Sequence, residues 1–179
     1  HIGNGLTSIL SSNYLLHHYS TYWKVILLKV TKPYIQIGIT ATSTATSTST
    51  EIYHSNSTLN TTNFTTSTSP TSTSTEIYPF LNASSTTFDS CGSCCENGKF
   101  KDLPGWPGYR DRDEVVFKYH PLSGSLFAHH SRKLDKIFVI SNIPSNNYRA
   151  VIVLYSKSFV KVQMPSNAEK RQFEKVCTL

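Results

Sequence analysis

Glu114-Val-Val-Phe-Lys-Tyr-His-Pro-Leu-Ser-Gly-Ser-Leu-Phe-Ala-His-His130 is the stretch on which the reading of this 179-residue chain turns. Glu114 to Tyr119 and Ser125 to His130 are strand-forming runs, and His120-Pro121-Leu122-Ser123-Gly124 between them carries turn chemistry. A hairpin with a longer loop is expected. Three more strands follow. Lys136 to Ser141 stops at Asn142-Ile143-Pro144, Tyr148 to Ser156 is the longest β-branched run, and Phe159 to Met164 alternates Phe159, Lys161 and Gln163 with Val160, Val162 and Met164. Pro165 ends the sheet, and Ser166-Asn167-Ala168-Glu169 is a capping box, in which hydroxyl and carboxylate satisfy exposed amides at a helix start. Phe173, Val176 and Cys177 then share one helical face, with Lys170, Arg171 and Lys175 outside it. The expected class is α+β: an antiparallel β-meander or small barrel closed by a C-terminal helix.

Upstream, the composition changes. Hydrophobic residues make up 38% of the chain, below the roughly 45 to 50% of globular proteins. The deficit is concentrated: from Thr40 to Thr75, 24 of 36 residues are Ser or Thr. Such a tract has too little apolar surface to offset the entropy of ordering it, so residues 40 to 90 are expected to form a disordered Ser/Thr-rich tether. The octamer TSTSTEIY occurs at Thr46 to Tyr53 and again at Thr71 to Tyr78, and two polar copies are too few for a solenoid. Asn56, Asn60, Asn63 and Asn82 each begin an N-x-S/T sequon, as most Asn residues in so Ser/Thr-rich a tract must. A glycosylated stalk and an intracellular phosphorylatable linker both fit this composition.

Residues 1 to 39 read as a short helix and a hairpin. Thr7 can cap a helix with Leu6, Ile9, Leu10 and Asn13 on one face, and Tyr22 to Val30 and Ile35 to Ile39 are strand-like on either side of Pro33. Two strands alone are marginal in water, so they should pack on the C-terminal piece. His1 is no initiator and Met164 is the only Met, which suggests a processed product or a fragment. Val25 to Val30 is far shorter than the roughly 20 apolar residues of a spanning helix, so no transmembrane segment is expected.

Charge divides the chain in the same places. Residues 1 to 32 carry +3, residues 33 to 98 carry −4 and residues 99 to 179 carry +7, within a formal net charge of +6. A basic module at residues 98 to 179 can be a solvated surface or can attract phosphate-bearing partners. Gly98-Lys99-Phe100-Lys101, Trp106, Arg110-Asp111-Arg112 and the capped ending Ser166 to Val176, with Phe173 for the usual Trp, resemble a pleckstrin homology domain. That resemblance implies a cytosolic domain binding phosphoinositide or another polyanion through Lys101, Arg110 and Arg112, whose ammonium and planar guanidinium groups suit adjacent phosphates.

The cysteines leave several readings open. Cys91-Gly-Ser-Cys94 is a C-x-x-C pair, with Cys95 adjacent and Cys177 remote. Zinc would need four converging ligands, and His120, His129 and His130 lack the spacing of a finger; a redox pair would need a lowered thiol pKa. Two disulfides, one tying Cys177 to the 91 to 95 cluster, or free thiols are preferred, with no metal and no cofactor. His129 and His130 on one strand should point to opposite faces, one partly buried and one exposed. Trp106, in Leu-Pro-Gly-Trp-Pro-Gly-Tyr, should cover a sheet edge. No nucleotide-binding loop, hydrolase elbow, metalloprotease helix or kinase signature occurs, and nucleic acid is not expected as a partner. The chain therefore reads as a non-enzymatic interaction or surface module on a tether, secreted or at the cell surface, with a protein partner or an anionic lipid surface as its target. The alternative is the cytoplasmic polyanion-binding domain.

Overall fold

A computed structural model describes residues 6–11, 15, 19–31, 35–41, 64–68, 85–155 and 157–178. Its strands in chain order are β1 (Leu6–Ser11), β2 (Thr21–Lys29), β3 (Ile35–Ala41), β4 (Phe64–Thr68), β5 (Ser85–Asp89), β6 (Ser93–Glu96), β7 (Lys99–Asp102), β8 (Glu114–His120), β9 (Ser125–His130), β10 (Ile137–Ile140), β11 (Tyr148–Tyr155) and β12 (Phe159–Gln163), followed by helix α1 (Asn167–Cys177). They form two antiparallel sheets, ordered β4-β1-β11-β3-β5-β6-β7 and β10-β9-β8-β2-β12.

The core lies between the sheets. Trp23, Val25, Leu27, Val115, Phe117, Leu126, Ala128, Phe138 and Ile140 of the five-stranded sheet meet Ile35, Ile37, Ile39, Phe88, Ala150 and Ile152 of the seven-stranded one. Every second residue of β2 and β8 is inward, as the two-residue period of a strand requires. β3 departs from half burial: polar Gln36 and Thr40 are buried along with its isoleucines. A Cβ at Gly38 would collide with the Thr86 carbonyl of β5, so glycine permits the close approach of these strands.

The five C-terminal strands and the helix stand where the sequence placed them. Ser166 accepts from the Glu169 amide while the Glu169 carboxylate accepts from the Ser166 amide, completing the capping box. Phe173 is wholly buried.

Four expectations need correction. The helix expected from Thr7 is strand β1, whose backbone pairs with β11 on one side and β4 on the other; so short an isolated helix lacks the hydrogen bonds to offset its nucleation, and sheet pairing supplies them. Tyr22 to Ile39 is no hairpin, because β2 enters the five-stranded sheet between β8 and β12 while β3 enters the other sheet between β11 and β5. The strands after Glu114 are no simple meander or closed barrel: only β8, β9 and β10 are successive neighbours, β11 crosses to the seven-stranded sheet, and β12 returns to pair with β2. Within the expected tether, Thr40 and Ala41 end strand β3, Ser85–Asp89 is a buried strand and Phe64–Thr68 pairs with β1; residues 42–63 and 69–84, including Asn56, Asn60, Asn63 and Asn82, lie outside the described residues.

Candidate interaction surface

The loop from Leu103 to Asp113 joins the two sheets, and its anchoring decides which charges are left for other work. Trp106 is buried against Phe88, Tyr109, His130 and Phe138, and its Nε1 donates to the Asp89 carbonyl at 2.7 Å. It belongs to the core rather than covering a sheet edge. Tyr109 donates its hydroxyl to the Phe88 carbonyl at 3.2 Å. Arg132 reaches into the same loop: Nε donates to Asp113 Oδ1 at 2.9 Å, Nη2 donates to Asp113 Oδ2 at 2.8 Å, and Nη2 also donates to the carbonyls of Pro107 and Gly108. Asp113, itself buried, further accepts from the Arg110 amide. This two-point fork is one that lysine cannot reproduce.

His130 completes that cluster. Its Nδ1 accepts from the Arg132 amide at 3.0 Å, which leaves the proton on Nε2, 3.0 Å from the Gly108 carbonyl and 3.3 Å from Asp113. Burial lowers its pKa to about 4, despite Asp113 beside it, so the imidazole is neutral. The Asp-His pair has a catalytic look but no surface for a substrate to reach, since His130 is 0% exposed. His129 is buried as well, beneath Phe173 of the helix, so neither histidine is the exposed one that the strand pattern suggested.

Helix α1 covers part of the outer face of the five-stranded sheet. Phe173 packs edge-on against Tyr22 and His129, and ion pairs frame it: Lys24 with Glu169 at 2.5 Å and Glu114 at 2.6 Å, and Lys118 with Glu174 at 2.8 Å.

Beyond the helix, no described element packs over the β2–β12 end of this sheet. A register shift between Phe159 and Val160 sets Phe159 opposite Lys29 and Val160 opposite Leu27, and Leu28 and Phe159 stand 57% and 60% exposed. Single exposed apolar residues are ordinary; two on adjoining strands that also carry cations are not. Lys29, Lys157, Lys161 and Arg112 lie on the same two strands and the adjoining loops: Lys29 is opposite Phe159, Lys161 pairs in register with Ile26, the Arg112 amide donates to the Leu27 carbonyl at 2.7 Å, and Lys157 precedes Ser158, whose hydroxyl accepts from the Thr31 amide. None of these four cations forms an ion pair among the described residues. Asp111 lies beside them and accepts from the Val30 amide. Arg112 and Lys157 also hold φ of +66° and +69°, a left-handed conformation that side chains other than glycine adopt at a cost of roughly 1 to 2 kcal/mol.

The three expected polyanion ligands do not share a hydrogen bond or ion pair among the described residues. Arg110 and Arg112 are exposed in the loop beside β2, whereas Lys101 lies on β7, at the edge of the other sheet, and pairs with Glu96 across the β6–β7 hairpin. Lys29, Lys157 and Lys161 were missed. Their proximity depends on β2 and β12 pairing across some 130 residues of sequence, which no local signal carries. The Asn97-Gly98 turn of that β6–β7 hairpin, with both φ positive, is a two-residue I′ loop of the kind an Asn-Gly dipeptide favours.

Cys91 and Cys177 are exposed and Cys94 and Cys95 are buried on β6; Cys94, Cys95 and Cys177 are thiols. Burial pushes the Cys94 thiol up to about 11 and raises Cys95 and Cys177, the opposite of what a redox nucleophile needs. The Cys91-to-Cys94 turn is organised by Asp89, which accepts from the amides of Cys91 and Ser93 at 2.8 and 2.9 Å. Among the described residues no group of three or more His, Cys, Asp or Glu side chains is placed to hold a metal ion. No helix there is long and apolar enough to cross a membrane.

The pair of sheets matches a solved architecture. The crystal structure of the SPRY domain of human HERC1 superposes with a TM-score of 0.57 over 89% of this chain and 83% of that one, at 10% sequence identity. The fold is SPRY-like. No protein-family model matches the chain, and no curated protein matches it in sequence. The SPRY-like sandwich overturns the resemblance to a pleckstrin homology domain: the likeness runs through most of the chain, not residues 98 to 179 alone, and it draws β1 to β3 into both sheets. The capped helix and strand run that carried the resemblance are real, but they are a generic combination.

Proposed function

We propose that this SPRY-like sandwich is a non-enzymatic protein-interaction module and that its docking surface is the β2–β12 end of the five-stranded sheet. The observation that carries the reading is the exposed pair Leu28 and Phe159, on strands and loops that also carry Lys29, Lys157, Lys161 and Arg112, none of them in an ion pair among the described residues. An apolar centre with a charged rim is the usual anatomy of a protein-binding patch, with the aromatic as anchor. Two left-handed residues at its border fit a site where local strain is retained for use.

Proximity labelling in cells with the full chain tests this. A protein partner should be labelled by the unaltered chain, and its enrichment should fall about tenfold, equivalent to ~1.4 kcal/mol of affinity, in a Leu28→Ser/Phe159→Ser variant. The Tm of that variant should be unchanged, since both side chains are exposed. Labelling of the same proteins by both forms would overturn the reading. The sequons bear on compartment. Glycans on Asn56, Asn60, Asn63 or Asn82, detected as a mass loss on glycosidase treatment, are expected if the chain is displayed outside the cell; their absence from protein recovered at the cell surface would refute the stalk.

A further inference from the structure

We propose that the partner is an acidic, extended segment of another protein that adds as a strand to the free edge of β12, an inference that rests on the docking surface above. β12 ends the five-stranded sheet and pairs only with β2 among the described residues, so its far side presents backbone donors and acceptors without a strand partner. Strand addition uses such an edge, main-chain hydrogen bonds supplying affinity and alternate side chains specificity. β12 has the side chains for it. Phe159, Lys161 and Gln163 alternate with Val160 and Val162, which pack on the core. An incoming strand would set an apolar side chain beside Phe159 and a carboxylate beside Lys161, with Lys29, Lys157 and Arg112 extending the positive field along one end.

The acids of this region offset that field only in part. Glu114 is engaged by Lys24 and Asp113 is buried under Arg132, while Asp111, which accepts from the Val30 amide, keeps its charge and leaves a net excess of three cations. A basic partner would meet four cations that have no ion pair among the described residues, and a neutral one would leave them unused. Lysine on an edge strand can also act as a guard against edge-to-edge aggregation. That role alone requires no cations on the neighbouring loops and no exposed aromatic next to the lysine.

The probe is a short synthetic peptide alternating Glu with Val and Phe, titrated into the isotopically labelled full chain and followed by amide NMR. Its controls are the same peptide with Lys for Glu, the Glu peptide N-methylated at alternate amides, and vesicles of phosphatidylcholine with phosphatidylserine. Shifts confined to Phe159–Gln163 and the adjoining loops, lost on N-methylation and weakened about tenfold by Lys161→Glu, are the expected result. Binding should survive about 0.15 M salt, where the Debye length is near 8 Å, because backbone hydrogen bonds do not depend on long-range charge. Equal binding of the N-methylated peptide would reduce the surface to diffuse electrostatics and overturn the proposal. So would binding to the vesicles with none to the peptide, or self-association of the chain through β12. If a labelled partner depends on Leu28 and Phe159 while no acidic peptide binds, the docking surface stands and strand addition falls.

Discussion

Two arginines only twenty residues apart behave in opposite ways. Arg132 engages Asp113 with both faces of its fork and closes two carbonyls of the 103 to 113 loop; Arg112, in that same loop, is exposed, left-handed and without an ion pair among the described residues. One pins the loop that joins the sheets, and the other is held out to solvent. The lesson is that charge alone does not mark a functional surface. What marks it is charge the fold has left without internal work, at a place where the backbone is strained to present it.

The sharpest way to break this contrast is to remove each arginine. Arg132→Ala leaves Asp113 buried without its counter-ion and should cost about 3 to 5 kcal/mol, read as a lower urea midpoint. Arg132→Lys should recover only part of it, because an ammonium cannot bridge both carboxylate oxygens. Arg112→Gly should be neutral or stabilising by up to about 1 kcal/mol, since glycine relieves the positive φ. Equal losses at both positions would erase the distinction.

The helix offers the next test, on the outer face of the same sheet. Phe173→Ala empties a fully buried site and should cost about 3 kcal/mol in a thermal melt. An unchanged Tm would mean that the ion pairs, not Phe173, hold the helix.

The interior cluster should also respond to pH. His130 is neutral when folded, with its pKa lowered to about 4 by burial, whereas an unfolded histidine titrates near about 6.5. Below that value the unfolded chain binds more protons, so the contribution of His130 is complete above about pH 6.5 and is lost as pH falls towards 4. Urea midpoints across that range should drop for the unaltered chain, and His130→Asn should flatten the slope.

The smallest effects belong to the ion pairs around α1. Burial raises the Glu174 pKa, but hydrogen bonds from Lys118 and Tyr22 more than offset it and leave it below the usual carboxylate value. The carboxylate is half exposed, so Glu174→Gln should cost under about 1 kcal/mol and less in high salt. Ser166→Ala, which removes the cap, should cost about 1 kcal/mol by the same measurement.

Legibility followed the range of the signal. β8 to β12 and α1 could be read because alternation, turn residues and a capping box are local properties, each expressed within a few residues. β1 and β5 could not. Leu6–Ser11 has a pattern that a helix also satisfies, and Ser85–Asp89 reads as the end of a polar tract until β3 and β6 pair with it and bury it. The expected polyanion ligands show the same limit of local signals: Lys101 and Arg112 are near in sequence, but Lys101 sits on β7 of one sheet and Arg112 on a loop beside β2 of the other.

The sequence by itself therefore determined the strand-rich character of the C-terminal half, the capped closing helix, the burial of Phe173, and a basic surface. Tertiary structure alone decided that β2 stands between β8 and β12, that β11 leaves its neighbours for the other sheet, and that Leu28 and Phe159 stand exposed on adjoining strands with Lys29, Lys157, Lys161 and Arg112 on those strands and the flanking loops. The physical reason is that a strand satisfies its backbone only through a partner, and nothing within the strand says how far along the chain that partner lies.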